Sequence, residues 1–165
     1  MTATGLRPSG RGWDEPHLRA VVSRYLRTGV RSTQNVLQYL SHRGLSLQRA
    51  AGLVATFRAR GLLDDRAAAR LWADHWARQD YAASAIRLKL LDKGFDEPLA
   101  HNTVTRLIGD ADDEERARRL LAQHLRRSSS RPVPSRLARL LASRGFDSEL
   151  IERVLRTSRD LAASD

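Results

Sequence analysis

The chain has 165 residues, of which 29 are Lys or Arg and 19 are Asp or Glu, giving a formal net charge of +10. It has no cysteine, which excludes a disulfide framework and thiol chemistry. No stretch approaches the roughly 18 apolar residues of a membrane span, and Met1 to Gly12 has no apolar segment behind Arg7 and Arg11, so no secretory signal is expected and a cytoplasmic protein is the default.

Apolar residues recur with helical spacing almost everywhere. Leu18, Val21, Val22, Tyr25 and Leu26 lay one stripe along a first helix. A second is predicted from Thr33, with Ser32 as N-cap, Val36, Leu37 and Leu40 on its buried face and a stop at Gly44. A third runs from about Leu47 to Arg60, capped by Ser46, burying Ala50, Leu53, Val54 and Phe57 and ended by Gly61. Asp64 or Asp65 caps a fourth that carries Ala68, Leu71, Trp72 and His75; a fifth carries Ile86 and Leu90 and stops at Gly94. Asp96 caps a sixth, with Pro98 tolerated in its first turn and Leu99, Val104, Leu107 and Ile108 inside. The seventh follows Asp112 with Ala117, Leu120, Leu121 and Leu125, and runs into the linker Ser128 to Pro134. The eighth, Ser135 to Arg144, carries Leu137, Leu140 and Leu141; the ninth, Ser148 to about Leu161, carries Leu150, Ile151, Val154 and Leu155. Strand alternation and Asn-Gly or Asp-Gly hairpin turns are missing.

The nine helices come in threes. Aligning Gly44, Gly94 and Gly145 superposes Val36/Ile86/Leu137, Leu40/Leu90/Leu141, Arg43/Lys93/Arg144, Leu45/Phe95/Phe146 and Ser46/Asp96/Asp147. In each copy a leucine falls at C3 and an apolar residue at C″ around a left-handed glycine, the contact of a Schellman turn, and a cap for the next helix follows. The fold class is therefore all-α: three tandem three-helix, helix-turn-helix-like repeats in an elongated, curved molecule. The expected layout is an N-terminal arm at 1–12, repeats at 13–61, 62–109 and 110–161 with an internal loop at 128–134, and a tail at 162–165. With only 3 Trp, 3 Tyr and 3 Phe, three small cores fit better than one large one.

Catalytic chemistry has little to stand on. His17, His42, His75, His101 and His124 are scattered without metal-ligand spacing. Asp64-Asp65 and the acidic run from Asp110 to Glu115 read as helix N-termini, Gly10-Arg11-Gly12 lacks the strand and helix of a phosphate loop, and no nucleophile, base and orienter occur together. The reading is a non-enzyme without cofactor or metal. Binding has more support. Arginine outnumbers lysine 27 to two, which suits bidentate contact with phosphate or carboxylate. The charge is +4 over residues 1–31, −1 over 32–115 and +7 over 116–165, which suggests a neutral centre between two basic ends. Arg136, Arg139 and Arg144 fall near i, i+3 and i+8 and are expected to share a helix face. Their loss should weaken binding more than loss of mid-chain Arg70, Arg78 and Arg106. Duplex readout by every repeat is disfavoured, since the third helix opens Leu47-Gln48-Arg49 and the sixth opens Glu97-Pro98.

Gly61-Leu62-Leu63-Asp64-Asp65 with Ala69, then Ile86-Arg87 through Leu90 to Lys93-Gly94-Phe95, then Leu137-Ala138-Arg139-Leu140-Leu141 through Arg144-Gly145-Phe146 to Ile151 and Val154-Leu155, resembles the RecX family of bacterial recombination regulators over about residues 15–157. The chain departs from the family pattern at Ala68, usually Tyr or Phe, at Asp80-Tyr81-Ala82-Ala83, usually a Gly-Tyr-Gly-Pro-like turn, and at Lys89, usually Glu. The resemblance implies a cytoplasmic, monomeric, modular protein that binds RecA and its filament on single-stranded DNA along the filament groove. It implies inhibition of RecA ATPase, strand exchange and coprotease activity in recombination, DNA repair and the SOS response, together with direct, non-specific DNA binding. The contact residues expected are Arg43, Lys93 and Arg144 at the repeat turns and Arg127, Arg131, Arg136, Arg139 and Arg153 in the last repeat. The rival reading is a stand-alone DNA-binding helical module or transcription regulator.

Overall fold

The computed structural model describes residues 14–108, 113–127 and 133–163. Among these are nine helices and no strand: α1 (Glu15–Arg27), α2 (Thr33–His42), α3 (Leu47–Ala59), α4 (Asp65–Ala77), α5 (Ala83–Asp92), α6 (Glu97–Leu107), α7 (Asp113–Arg127), α8 (Pro134–Ser143) and α9 (Ser148–Ala163). The expected arm at 1–12, Asp110 and Asp112 of the acidic run, and most of the expected linker lie outside the described residues. At the other end α9 continues two residues beyond Leu161, into the segment expected as a tail.

Local chemistry sets the helix ends. Ser32 and Asn35 form a reciprocal capping box on α2, and Ser46, Asp64, Asp96 and Asp147 each accept a backbone N–H from the first turn of the helix that follows. After α2, α5 and α8, Gly44, Gly94 and Gly145 take φ of +85°, +82° and +85°. The Leu45, Phe95 and Phe146 N–H groups then donate back to the Leu40, Leu90 and Leu141 carbonyls at 3.2, 3.2 and 3.4 Å, so the three turns are Schellman motifs with the predicted partners. Asp80 builds the same turn after α4 without a glycine: its φ is +56°, and Tyr81 N–H donates to the Trp76 carbonyl at 3.2 Å.

Each set of three helices closes over its own apolar cluster. Val22, Val36 and Leu40 centre the first, Ile86 and Leu90 the second, Leu141 and Val154 the third. The tightest helix pairings stay within a set: α2 on α3, α4 with α5 and α6, and α7 with α8 and α9. Two buried residues cross the expected boundaries, and half-buried Ala85 packs against the third cluster beside them. Leu63 packs in the first cluster and Ala82 in the third. The fourth helix also turns differently from its expected face. It buries Ala68, Ala69, Ala73 and Trp76, while Leu71 is 59% exposed, His75 is exposed and Trp72 half-buried. Alanines on the inner face let α4 lie close to both α5 and α6, and Ala68, where an aromatic would be usual, belongs to that stripe.

The sets are joined by a device that occurs twice. The start of the middle helix of one set meets the glycine turn and the first helix of the next. At the first joint the Ser32 hydroxyl donates to the Lys93 carbonyl at 2.7 Å and Thr33 N–H donates to Asp65 Oδ1 at 2.7 Å. At the second, Ala82 N–H donates to the Arg144 carbonyl at 3.0 Å, the Ser84 hydroxyl to the Gly145 carbonyl at 3.4 Å and Ala83 N–H to Asp113 Oδ1 at 3.0 Å. The second joint is reinforced by Asp80, only 3% exposed, which accepts from Arg119 Nε at 2.8 Å and Gln123 Nε2 at 3.4 Å. Asp113 also pairs with the buried Arg116.

Candidate polyanion-binding surface

The repeat places Arg43, Lys93 and Arg144 at one structural position, the C-cap of α2, α5 and α8. Each lies against an aromatic ring. Arg43 Cζ is 4.5 Å from the centroid of Tyr39, Lys93 Nζ 4.3 Å from Trp72, and Arg144 Cζ 4.6 Å from Tyr81. Arg31 adds a fourth cation, 4.7 Å over Tyr25, and Tyr25 is stacked on Tyr39 with centroids 4.0 Å apart. Trp72 and Trp76 are stacked at 5.2 Å, and Lys89 Nζ lies 5.7 Å from Trp76 and 4.6 Å from Tyr81.

These contacts form one connected row. It runs from Arg43 through Tyr39 and Tyr25 to Arg31, crosses the first joint where the neighbouring Ser32 bonds the Lys93 carbonyl, and continues through Lys93, Trp72, Trp76, Lys89 and Tyr81 to Arg144. Each cation on a ring is worth about 0.5 to 2 kcal/mol, enough to hold the head group in place while its N–H donors stay open to an anion. Lys89, where the resembling family usually has Glu, is thus one more cation in the row.

The remaining expected residues are not gathered with these. Arg136 and Arg139 are exposed on α8, on the side away from buried Leu137 and Leu141, and neither has a carboxylate partner among the described residues. Arg144, the C-cap of the same helix, reaches across to Tyr81 of the second set. Arg127 is exposed at the end of α7. Arg153 Nε sits 3.3 Å from Oε2 of Glu114, whose Oε1 holds Arg118, so part of its charge is already answered. Arg131 lies outside the described residues.

The acidic residues act structurally. Asp64 caps α4, Asp65 and Asp113 close the two joints, Asp96 caps α6, and Glu97 pairs with Arg87 at 2.9 Å. Among the described residues no three His, Asp or Glu side chains come together in a way that could hold a metal ion, and no helix is long and apolar enough to cross a membrane. Sequence reasoning missed the rings of the row. Their partners are up to 63 positions away in the chain, and only the presence of half-buried Tyr and Trp beside basic turns could have hinted at them.

No family model and no curated protein matches the chain. Solved structures do. The crystal structure of RecX from Lactobacillus salivarius superposes with a TM-score of 0.65 at 20% identity, over 85% of this chain and 92% of that one. A second crystal structure, of regulatory protein RecX, gives a TM-score of 0.60 at 22% identity, over 88% of this chain and 79% of that one. The chain therefore has the fold of these proteins, across most of its length.

Proposed function

We propose that this chain is a RecX-type regulator that acts by contact, binding RecA and its filament on single-stranded DNA and lowering RecA ATPase, strand exchange and coprotease activity. The observation that carries the reading is the likeness to RecX structures over most of the chain combined with a row of ring-held cations repeated at the module turns. A helical polymer presents the same chemistry at regular steps, and a protein with the same cationic position in tandem modules, taken as 13–61, 62–109 and 110–161, can meet it in register. In this reading Arg43, Lys93 and Arg144 contact the filament. Arg127, Arg136 and Arg139, with Arg131 and Arg153, add attraction to phosphate, which is salt-sensitive and without sequence preference. The protein works as a cytoplasmic monomer with no catalytic step of its own.

The test is RecA-catalysed ATP hydrolysis on single-stranded DNA with increasing amounts of the protein. Hydrolysis falls as the protein approaches stoichiometric ratios; unchanged hydrolysis there refutes the reading. The unpaired Arg136 and Arg139 also favour a second reading, a stand-alone DNA-binding module. That reading requires RecA-independent binding with a preference for particular duplex sequences, measured by competition between random and genomic DNA at two salt concentrations.

A further inference from the structure

Along the chain the middle of the molecule is electrically neutral; in space it is not. A groove of about 760 Å³ opens between α3, α4 and α6, and Arg58, Arg66, Arg70 and Arg106 line it. Among the described residues none of the four has a carboxylate within ion-pair distance, and all four are exposed. Of the acids nearby in the sequence, Asp74 pairs with Arg78, while Asp65 and Asp96 line the same groove and accept Thr33 N–H and Leu99 N–H, leaving four arginines against two carboxylates.

We infer that this groove is a docking site for an acidic peptide segment of a partner protein, with carboxylates on the four guanidinium groups and apolar side chains on a floor made by Pro98, Leu99 and Leu107. Three features favour a peptide over a nucleic-acid strand. First, no aromatic ring lines the groove, so unstacked bases have no platform. Second, Leu99 and Leu107 are only half-buried and lie with Pro98 along α6, which gives apolar side chains a seat that a phosphate backbone would leave unused. Third, Asp65 and Asp96 also line the walls. Each carboxylate has lone pairs beyond its one backbone bond and can accept peptide N–H groups, donors that a phosphate backbone does not have. The dimensions agree. From Pro98 to Leu107 the α6 face is roughly 15 Å long at 1.5 Å per residue, the reach of four or five extended residues. Guanidinium groups on opposite walls can each take a carboxylate in the bidentate geometry that arginine favours.

The site is separate from the row of ring-held cations, and its test does not involve RecA, so its failure and that of the filament reading are distinguishable. Fluorescence anisotropy follows a fluorescein-labelled peptide of glutamates interrupted by leucines, and in parallel a labelled oligothymidylate. The acidic peptide binds the wild-type chain, and R70E/R106E weakens it about fivefold or more while oligothymidylate binding changes less than about twofold. A peptide with Gln in place of Glu, or Ser in place of Leu, binds more weakly. Because both arginines are exposed, the variant keeps the wild-type far-UV circular dichroism and melting temperature; the single variants R70Q and R106Q, each weakening the peptide, serve where it does not. The inference is overturned if the acidic peptide does not bind the wild-type chain, if the substitutions leave its affinity unchanged, or if oligothymidylate loses as much affinity as the peptide, which would assign the groove to nucleic acid.

Discussion

Gly44, Gly94 and Gly145 sit in nearly identical turns, so replacing each by alanine separates what the turn requires from what the joint requires. At all three the left-handed φ penalises a Cβ by about 1 to 2 kcal/mol. The surroundings then differ. A Cβ at Gly44 would meet nothing within 4 Å; at Gly94 it would come 3.0 Å from Ser32 Oγ and 3.2 Å from Gln34 Cβ; at Gly145 it would lie 2.4 Å from Ala85 Cβ. The first case adds nothing. In the second the contacts are short by only a few tenths of an ångström, which a small shift of the Ser32 hydroxyl and the start of α2 can supply. In the third the obstacle is a β-carbon fixed to the α5 backbone, so the second joint itself must open, with an overpacking cost of about 1 to 3 kcal/mol beyond the turn penalty. For a chain of this size that excess lowers the melting temperature by roughly 2 to 12 °C relative to Gly44→Ala. Urea titrations followed by far-UV circular dichroism should rank the losses Gly44→Ala < Gly94→Ala < Gly145→Ala. Equal losses would refute the claim that the second and third glycines are required by the preceding set's approach.

Asp80 offers a second test. Asp80→Ala removes the acceptor for Arg119 and Gln123 and keeps a Cβ at positive φ, whereas Asp80→Gly removes the same acceptor but relieves the backbone. The alanine variant should therefore be less stable than the glycine variant by about 1 kcal/mol; equal melting temperatures would show that the turn carries no strain. On the surface, R136A/R139A should leave stability within about 0.5 kcal/mol. It should also reduce the slope of log affinity against log salt for single-stranded DNA by about 1.4, since each phosphate contact contributes roughly 0.7. An unchanged slope would remove both residues from the DNA-facing surface.

What could be read from the sequence was what depends on neighbours a few residues away. The glycine turns, the Leu40/Leu90/Leu141 contacts and the caps at Ser32, Ser46, Asp64 and Asp96 are all local, and the structure keeps them. In α4 the same logic chose the larger side chains, Leu71 and Trp72, for the inside, because period alone cannot show that close packing against α5 and α6 requires alanine. The cation row was illegible for a different reason. Lys93 meets Trp72 and Arg144 meets Tyr81 only after the chain has folded back. Net charge along the chain also hid the clustering of Arg58, Arg66, Arg70 and Arg106 around one groove, where only Asp65 and Asp96 lie among them.

The donor used at both joints is missing from the third set. In both copies the first residue of the middle helix, Thr33 or Ala83, gives its backbone N–H to the leading acid of the following set. The corresponding residue of α8 is Pro134, which has no such proton. A fourth set appended in the same register, or a second molecule docking head to tail, would bring a carboxylate to a ring carbon instead of a donor. Pro134 thus leaves α8 without the hydrogen that α2 and α5 each give to the set that follows them.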